Sequence, residues 1–164
     1  MPPAPSSADR ESGTADLHAV VAEHLRSVGL RYTPGRRAVV ELLAGCGHPV
    51  SIGDIERALP SVPRSSAYRH LADLETASVV HRITGADEFA RYELVETLTG
   101  HHHHLMCTGC GNVVDIASSA AFERMAAEHL ERLAEAEGFV PTSHRIDVLG
   151  RCAACTAAAE AVSY

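Results

Sequence analysis

Apolar residues near the start of the chain recur with the period of amphipathic helices. Those between residues 17 and 28 predict a first helix that ends at Gly29. Thr33 suits the N-cap of a second helix and Pro34 its first position, because a helix leaves the N–H at that position unpaired. Glycines and a proline within residues 45–49 end this second helix.

Two further helices and a hairpin follow along the chain. Ser51 opens a short third helix through an approximate capping box, and a fourth helix begins near Ser65. Strands are predicted at residues 79–83 and 89–94, with a turn at residues 85–87 between them. Compact helices followed by a two-stranded hairpin are typical of a winged helix-turn-helix domain.

The apolar pattern changes after residues 96–100, which we interpret as a hinge. Strands are predicted at residues 101–106, 113–116 and 143–149, and residues 122–133 have helical spacing. A three-stranded sheet with one helix buries little apolar surface, so we expect a metal and a second copy of the chain to stabilise it. The predicted fold class is α+β: a winged helix-turn-helix domain followed by a small α/β dimerisation domain.

Composition and charge favour a cytoplasmic protein with one basic region. No run of about 18 apolar residues could span a membrane. Residues 1–14 lack the apolar core of a secretion signal and are expected to be disordered. The formal charge is -7, yet residues 31–72 carry six arginines against three acids, a net of +3, and the chain has no lysine. Arginine suits contacts to phosphate and guanine, so this region is compatible with binding DNA.

Four of the five cysteines form two Cys-x-x-Cys knuckles: Cys107, Cys110, Cys152 and Cys155. Four thiolates can close a tetrahedron around zinc, and a reducing compartment favours metal thiolates over the alternatives of disulfides or unmodified thiols. The fifth cysteine, Cys46, lies in an apolar helical pattern and is predicted to be a small core residue.

Four consecutive histidines precede the first knuckle. Because side chains alternate along a strand, His102 and His104 would face one way and His101 and His103 the other. One strand could therefore serve two different sites. The alternatives are a solvated polar loop or a residual purification tag, and the internal position argues against the tag.

The start of the fourth helix carries side chains of the types that contact DNA in helix-turn-helix proteins. They are Arg64, Ser65, Ser66, Tyr68, Arg69 and His70. Arg69 could pair with guanine and Tyr68 could contact a thymine methyl, while the serines could bind phosphates. The alternative is an ordinary solvated helix face.

The order of winged helix, histidine-rich strand, knuckle, helix, strand and second knuckle resembles the ferric uptake regulator (Fur) family of bacterial metal-responsive repressors. The resemblance covers about residues 15–155. It implies a homodimer that binds an operator palindrome in double-stranded DNA when a regulatory metal is bound. The chain would then divide into a disordered lead at 1–14, a DNA-binding domain at 15–95, a hinge at 96–100, a dimerisation and metal-binding domain at 101–155 and a tail at 156–164.

Carried over residue by residue, the resemblance implies three metal sites and a DNA surface. The structural zinc site matches Cys107, Cys110, Cys152 and Cys155. The regulatory site matches His48, Glu93, His102, His104 and Asp115. A third site matches His101, His103, Glu123 and His144. On the DNA surface, Arg31 resembles the minor-groove cation of the family, and Tyr68 and Arg69 resemble its major-groove pair, while Ala67 and Gly35 depart from the commoner valine and glutamine.

The resemblance also bears on the regulatory metal. Imidazoles and carboxylates suit Fe(II), Zn(II), Mn(II) or Ni(II). Zinc-sensing relatives commonly carry a cysteine where this chain has Glu93, which favours iron first and zinc next. A zinc-responsive member of the same family is one alternative. A peroxide-sensing member is another, because histidines beside bound iron can be oxidised.

Two other classes of protein are remote alternatives. A zinc hydrolase would need an open site with a general base, and the chain has no His-Glu-x-x-His helix or nucleophile motif. A metal buffer would not need the set of Arg31, Tyr68 and Arg69. We therefore predict a metal-dependent regulator rather than an enzyme, with no small-molecule substrate and no membrane partner.

Overall fold

The computed structural model describes residues 7–84 and 89–162, which divide into two compact units. The first unit takes in residues 7–84 and Ala90–Thr99, and the second takes in Phe89 and residues 100–162. No helix among these described residues combines the length and the apolar character that crossing a bilayer requires.

Four helices make up most of the first unit. They are α1 (Ser7–Ser27), α2 (Pro34–Cys46), α3 (Ile52–Ala58) and α4 (Arg64–Thr76). The Thr33 side chain accepts a hydrogen bond from the Arg36 N–H at the start of α2, and Gly47 ends that helix in the left-handed conformation. Ser51 and Asp54 form the capping box of α3. These findings confirm the predicted helix caps.

A three-stranded antiparallel sheet completes the first unit. Its strands are β1 (Val50–Ser51), β2 (Val80–Thr84) and β3 (Ala90–Leu94), in the order β1-β3-β2. The two predicted strands of the wing are confirmed to within one residue at each end. The predicted turn at residues 85–87 lies outside the described residues.

A continuous apolar core joins these helices to the sheet. Leu25 of α1, Val39 of α2, Ile55 of α3, Leu71 of α4 and Leu94 of β3 are all buried in it. Each helix contributes one apolar stripe to this core, as the helical spacing in the sequence predicts.

Two features of the first unit differ from the predictions. Helix α1 begins at Ser7, so residues 7–14 are helical rather than disordered, while residues 1–6 lie outside the described residues. Ala8 and Glu11 have high helix propensity, which apolar periodicity does not detect. The predicted hinge contains a short helix, α5 (Glu96–Thr99), which is too short to show a period.

The second unit is built on a mixed three-stranded sheet. Its strands are β4 (His103–Cys107), β5 (Val113–Ile116) and β6 (Asp147–Gly150), in the order β5-β4-β6. β5 runs antiparallel to the central strand β4, and β6 runs parallel to it. Helix α6 (Ala120–Ala136) connects β5 to β6, and helix α7 (Ala153–Val162) follows the sheet.

The second unit also corrects three predicted boundaries. The strand predicted at 143–149 begins only at Asp147, because its partner β4 begins at His103 and the register pairs His104 with Asp147. His101 and His102 precede β4 instead of belonging to it. The predicted tail is helical as far as Val162, and residues 163–164 lie outside the described residues.

Few apolar side chains are buried in the second unit. No residue of α6 is buried, although the helix has an apolar face, and Met125 and Leu133 are 61% and 54% exposed. The buried side chains among the described residues of this unit are His103, His104, Met106, Cys107 and Val113. His103, His104 and Cys107 are of residue types that bind metals, so the buried interior of this unit contains several of its candidate metal ligands.

Candidate metal sites and nucleic-acid interface

The four knuckle cysteines meet at one end of the second sheet. The Sγ atoms of Cys107, Cys110, Cys152 and Cys155 all lie within 4.8 Å of one another. The Cys110 and Cys152 sulfurs are 3.8 Å apart, and sulfurs bound tetrahedrally to zinc at about 2.3 Å are separated by about 3.8 Å. The donor set and its spacing therefore fit a closed structural zinc site.

Backbone amides hold the first cysteine of this group in its thiolate form. N–H groups of Cys152, Cys110 and Gly109 donate to the Cys107 sulfur and lower its pKa to about 6. Hydrogen bonds among the thiols raise the pKa of Cys155 to about 12, since they favour its protonated form. A divalent ion favours the deprotonated form of both cysteines.

Gly109 lets the two knuckles approach each other. A Cβ atom at this position would lie 2.9 Å from the Sγ of Cys155 and 3.1 Å from its Cβ. The absence of a side chain at residue 109 is therefore part of the geometry that brings the two halves of the cysteine group together.

A second group of ligand atoms lies on one face of β4, β5 and the segment that leads into β4. His102, His104 and Asp115 bring one ligand atom each within 4.8 Å of one another. The Asp115 carboxylate is 4.0 Å from His102 Nε2 and 3.8 Å from His104 Nε2. These distances leave the three groups a short movement from sharing one ion, because imidazole and carboxylate ligands lie about 2.0–2.2 Å from zinc.

Each imidazole of this group contacts an oxygen acceptor through its Nδ1 atom, which fixes the orientation of the ring. His104 Nδ1 is 3.0 Å from an Asp147 oxygen, and His102 Nδ1 is 3.0 Å from the Gly100 carbonyl oxygen. An Nδ1–H that donates to these acceptors fixes the tautomer whose Nε2 lone pair can bind a metal. Asp147 was not among the predicted site residues, although its place on β6 opposite His104 supplies that outer contact.

The other face of the histidine-rich strand forms a third group around one carboxylate. Nε2 of His101, His103 and His144 lie 3.2, 3.1 and 3.2 Å from the oxygens of Glu123. The ligand atoms of all four residues lie within 4.8 Å of one another. The structure therefore separates the four consecutive histidines by face, with the odd-numbered pair on Glu123 and the even-numbered pair on Asp115.

Two residues assigned to the regulatory site belong to the first unit. Glu93 lies on β3 opposite His81 on β2, with His81 Nε2 3.3 Å from Glu93 Oε1. His48 follows α2, and its Nδ1 is 3.2 Å from the Pro49 carbonyl oxygen. Among the described residues His48 belongs to none of the close groups of ligand atoms. His81 was missed by sequence reasoning, although the predicted wing hairpin could have paired it with Glu93.

The start of α4 presents most of the predicted DNA contacts to solvent. Arg64, Ser65, Tyr68 and Arg69 are exposed, and Ser66 and His70 are half-buried. Ala67 is fully buried and anchors this end of the helix in the core. Arg31, in the connector before α2, is also exposed. The exposed set includes three arginines, a side-chain type that suits contacts to phosphate.

Contacts between α2 and α4 position this surface. Arg36 on α2 forms an ion pair with Asp73 on α4 and also donates to the Arg31 carbonyl oxygen. The His70 ring lies over Gly35, where a Cβ atom would be 2.5 Å from His70 Nε2. Burial, followed by the charges of Arg36 and Arg69, lowers the pKa of His70, so the ring is neutral at neutral pH.

Comparison with known proteins identifies the family. The model of the ferric uptake regulator family matches residues 27–149. The chain is 31% identical over 140 residues to the peroxide operon regulator of Bacillus subtilis, which covers 82% of this chain and 90% of the relative. It is 30% identical over 155 residues to the peroxide-responsive repressor PerR of Staphylococcus epidermidis, covering 91% of this chain and 96% of the relative.

Solved structures show the same fold. The ferric uptake regulator Fur of Helicobacter pylori, described as having three functional metal binding sites, superposes with a TM-score of 0.70 at 22% identity. The superposition covers 87% of this chain and 93% of that one. The family match and the identity to full-length relatives lead to one conclusion: the chain belongs to the ferric uptake regulator family of transcriptional regulators.

Proposed function

We propose that this protein is a metal-dependent repressor that binds an operator palindrome as a homodimer when a regulatory divalent ion is bound. The observation that carries the proposal is the group of His102, His104 and Asp115. Both imidazoles present Nε2 toward the carboxylate while Nδ1 contacts an acceptor behind the ring. That arrangement is the one in which histidines bind metals in proteins.

In this proposal Glu93 and His48 of the first unit complete the regulatory site. An ion bound there is coordinated by ligands from both units. Its occupancy then shifts the equilibrium between inter-domain geometries. A shift of that equilibrium from about 1% to about 99% requires roughly 5.5 kcal/mol of differential binding, and three imidazoles with two carboxylates can supply it.

The choice of metal follows from the ligand types. Imidazole and carboxylate ligands suit Fe(II), and Glu93 in place of a thiolate favours Fe(II) over Zn(II), with Mn(II) and Ni(II) as further candidates. The four cysteines hold structural Zn(II). The third group, around Glu123, is an additional divalent-metal site that lies within the second unit.

The DNA surface and the dimer surface belong to different units in this proposal. Arg31, Tyr68 and Arg69, with Arg64 and the serines of α4, contact the duplex. The exposed apolar side chains of α6, Phe122, Met125 and Leu133, support burial against a second copy, since a monomer gains nothing from exposing them.

Peroxide sensing is a second candidate function. It is favoured by the relatives in Bacillus subtilis and Staphylococcus epidermidis, both named as peroxide regulators. In this version, oxidation of His102 or His104 beside bound iron would remove a ligand and release DNA. Peroxide treatment of the iron-loaded protein would then add 16 Da to a peptide containing these histidines, whereas a peroxide-insensitive regulator would show no such mass shift.

The main proposal is tested with a duplex selected from a random library by the metal-loaded protein. Apo protein with its structural zinc is titrated with Fe(II), Zn(II), Mn(II) and Ni(II) while anisotropy of the labelled duplex is followed. We expect at least one metal to raise affinity by 100-fold or more, by analogy with the population shift above, and a chelator to reverse it. Equal binding with and without every metal would refute a metal-dependent repressor.

A further inference from the structure

Five arginines of the first unit already have a carboxylate partner. The pairs are Arg26–Glu23, Arg36–Asp73, Arg37–Glu41, Arg57–Asp54 and Arg64–Glu56. Arg31 and Arg69, in contrast, make no ion pair within the described parts of the chain, 7–84 and 89–162. Of the six arginines in residues 31–72, four therefore have a carboxylate partner, and Arg31 and Arg69 remain available to phosphates.

One of these pairs lies on the surface that the proposed function assigns to DNA. Glu56 on α3 accepts from Arg64 Nη1 at 3.1 Å, at the first residue of α4. The Arg64 guanidinium carbon also lies 5.9 Å from the centre of the Tyr68 ring. A carboxylate, a guanidinium and a phenol thus occupy the exposed start of the helix.

This pair contributes little to folding. The Arg64 side chain is 59% exposed and that of Glu56 33% exposed, and solvent screens an ion pair of this kind. Its position matters more for DNA, because a phosphate that approaches Arg64 must displace Glu56 or remain beside it. Either event opposes binding that depends on phosphate contacts alone.

Specific and non-specific DNA complexes differ in whether a phosphate can replace Glu56 as the partner of Arg64. In an operator complex, base contacts from Tyr68 and Arg69 hold α4 in the groove, which brings phosphates close enough to replace the carboxylate. A non-specific complex lacks those base contacts and leaves the pair intact. An anionic group placed in this way discriminates against the wrong partner.

We propose, on the basis of the proposed function, that Glu56 is a specificity-determining residue. It competes with DNA phosphates for the Arg64 side chain and thereby weakens binding to non-specific DNA. Glu56 contacts no base in this proposal. It acts through Arg64, and its effect should disappear when Arg64 is removed.

The test compares the metal-loaded full-length wild type with Glu56→Gln, Arg64→Ala and the double variant, on the selected duplex and on a random duplex at several salt concentrations. Glu56→Gln should bind the random duplex about 3- to 10-fold more tightly, and its plot of log affinity against log salt should steepen by about 0.9, the value for one added phosphate contact. Affinity for the selected duplex should rise less. The double variant should bind like Arg64→Ala alone.

Glu23→Gln is the matched control, because it removes the same charge from an ion pair within α1. An equal gain in that variant, or a gain that persists without Arg64, would reduce the effect to net charge and overturn the proposal. Unchanged or weaker binding of the random duplex by Glu56→Gln would overturn it too. Failure of the wild type to bind in response to metal contradicts the proposed function, whereas normal wild-type behaviour with an unaltered Glu56→Gln contradicts this inference alone.

Discussion

The two units of this protein have interiors of opposite character. The first unit buries leucine, isoleucine and valine from four helices and a sheet in one apolar cluster. In the second unit the largest fully buried side chains are His103 and His104, and helix α6 has no buried residue. One unit is packed around apolar side chains, and the other around side chains of the types that bind metals.

This difference has an energetic consequence. Each fully buried leucine or valine contributes roughly 1.5–3 kcal/mol to the free energy of unfolding. The first unit is therefore stabilised by its own apolar core, without a metal or a partner subunit. A buried imidazole costs free energy unless its nitrogens have partners. In the second unit Glu123 contacts His103 Nε2 and Asp147 contacts His104 Nδ1, while His103 Nδ1 is buried without a hydrogen-bond partner among the described residues. A structural metal and a partner subunit should therefore contribute more to the second unit than to the first.

The largest predicted effect follows from loss of the cysteine site. Cys107→Ser should lose structural zinc and unfold the second unit, because zinc bound by cysteines contributes on the order of 10 kcal/mol to folding. The first unit should keep its own melting transition. Circular dichroism and metal analysis would detect both outcomes.

Cys46→Ser provides the matched control for that substitution, since Cys46 packs at the edge of the first core. It should retain zinc and both transitions. A Cys107→Ser protein whose second unit melts as in the wild type would show that apolar packing is sufficient there.

A smaller effect is predicted when one leucine is truncated in each unit. Leu71→Ala removes a side chain that is 1% exposed and should destabilise the first unit by about 2–5 kcal/mol. Leu133→Ala removes one that is 54% exposed, so it should weaken self-association more than it weakens folding. Urea denaturation and analytical ultracentrifugation separate the two effects. Equal losses of unfolding free energy would contradict the contrast.

The smallest predicted effect concerns the contact that positions α4 on α2. Gly35→Ala should cost about 1–3 kcal/mol, the usual range for overpacking, because its Cβ would lie 2.5 Å from His70 Nε2. Adding His70→Ala should recover most of the loss, which a double-mutant cycle measures. Gly45→Ala in the same helix has no heavy atom within 4 Å of the new Cβ and should stabilise by about 0.5–1 kcal/mol. Identical effects at the two glycines would exclude the steric explanation.

Sequence reasoning predicted those features whose signals are local. The Thr33 and Ser51 caps, the apolar stripes of the first core and the division of the four histidines by face depend on spacing over a few residues. The cysteine site follows from two short motifs, each of which fixes a pair of ligands.

The features that were missed depend on pairing between distant segments. Asp147 contacts His104 Nδ1 only because β6 pairs with β4 in the observed register, and His81 contacts Glu93 only across the wing hairpin. Helix α7 is a different case. Alanine occupies six of its ten positions, so helix propensity could have predicted it. The prediction relied on apolar periodicity instead, and an alanine-rich helix has little apolar periodicity.

In the proposed function, the histidines on one face of the histidine-rich segment make DNA binding depend on metal. The most direct measurement is the ratio of operator affinities with and without regulatory metal for His102→Ala, compared with His101→Ala on the opposite face of the strand. We predict that His102→Ala remains a folded, zinc-containing dimer whose ratio falls to about one, while His101→Ala keeps most of the wild-type ratio. A wild-type ratio in His102→Ala would contradict the account.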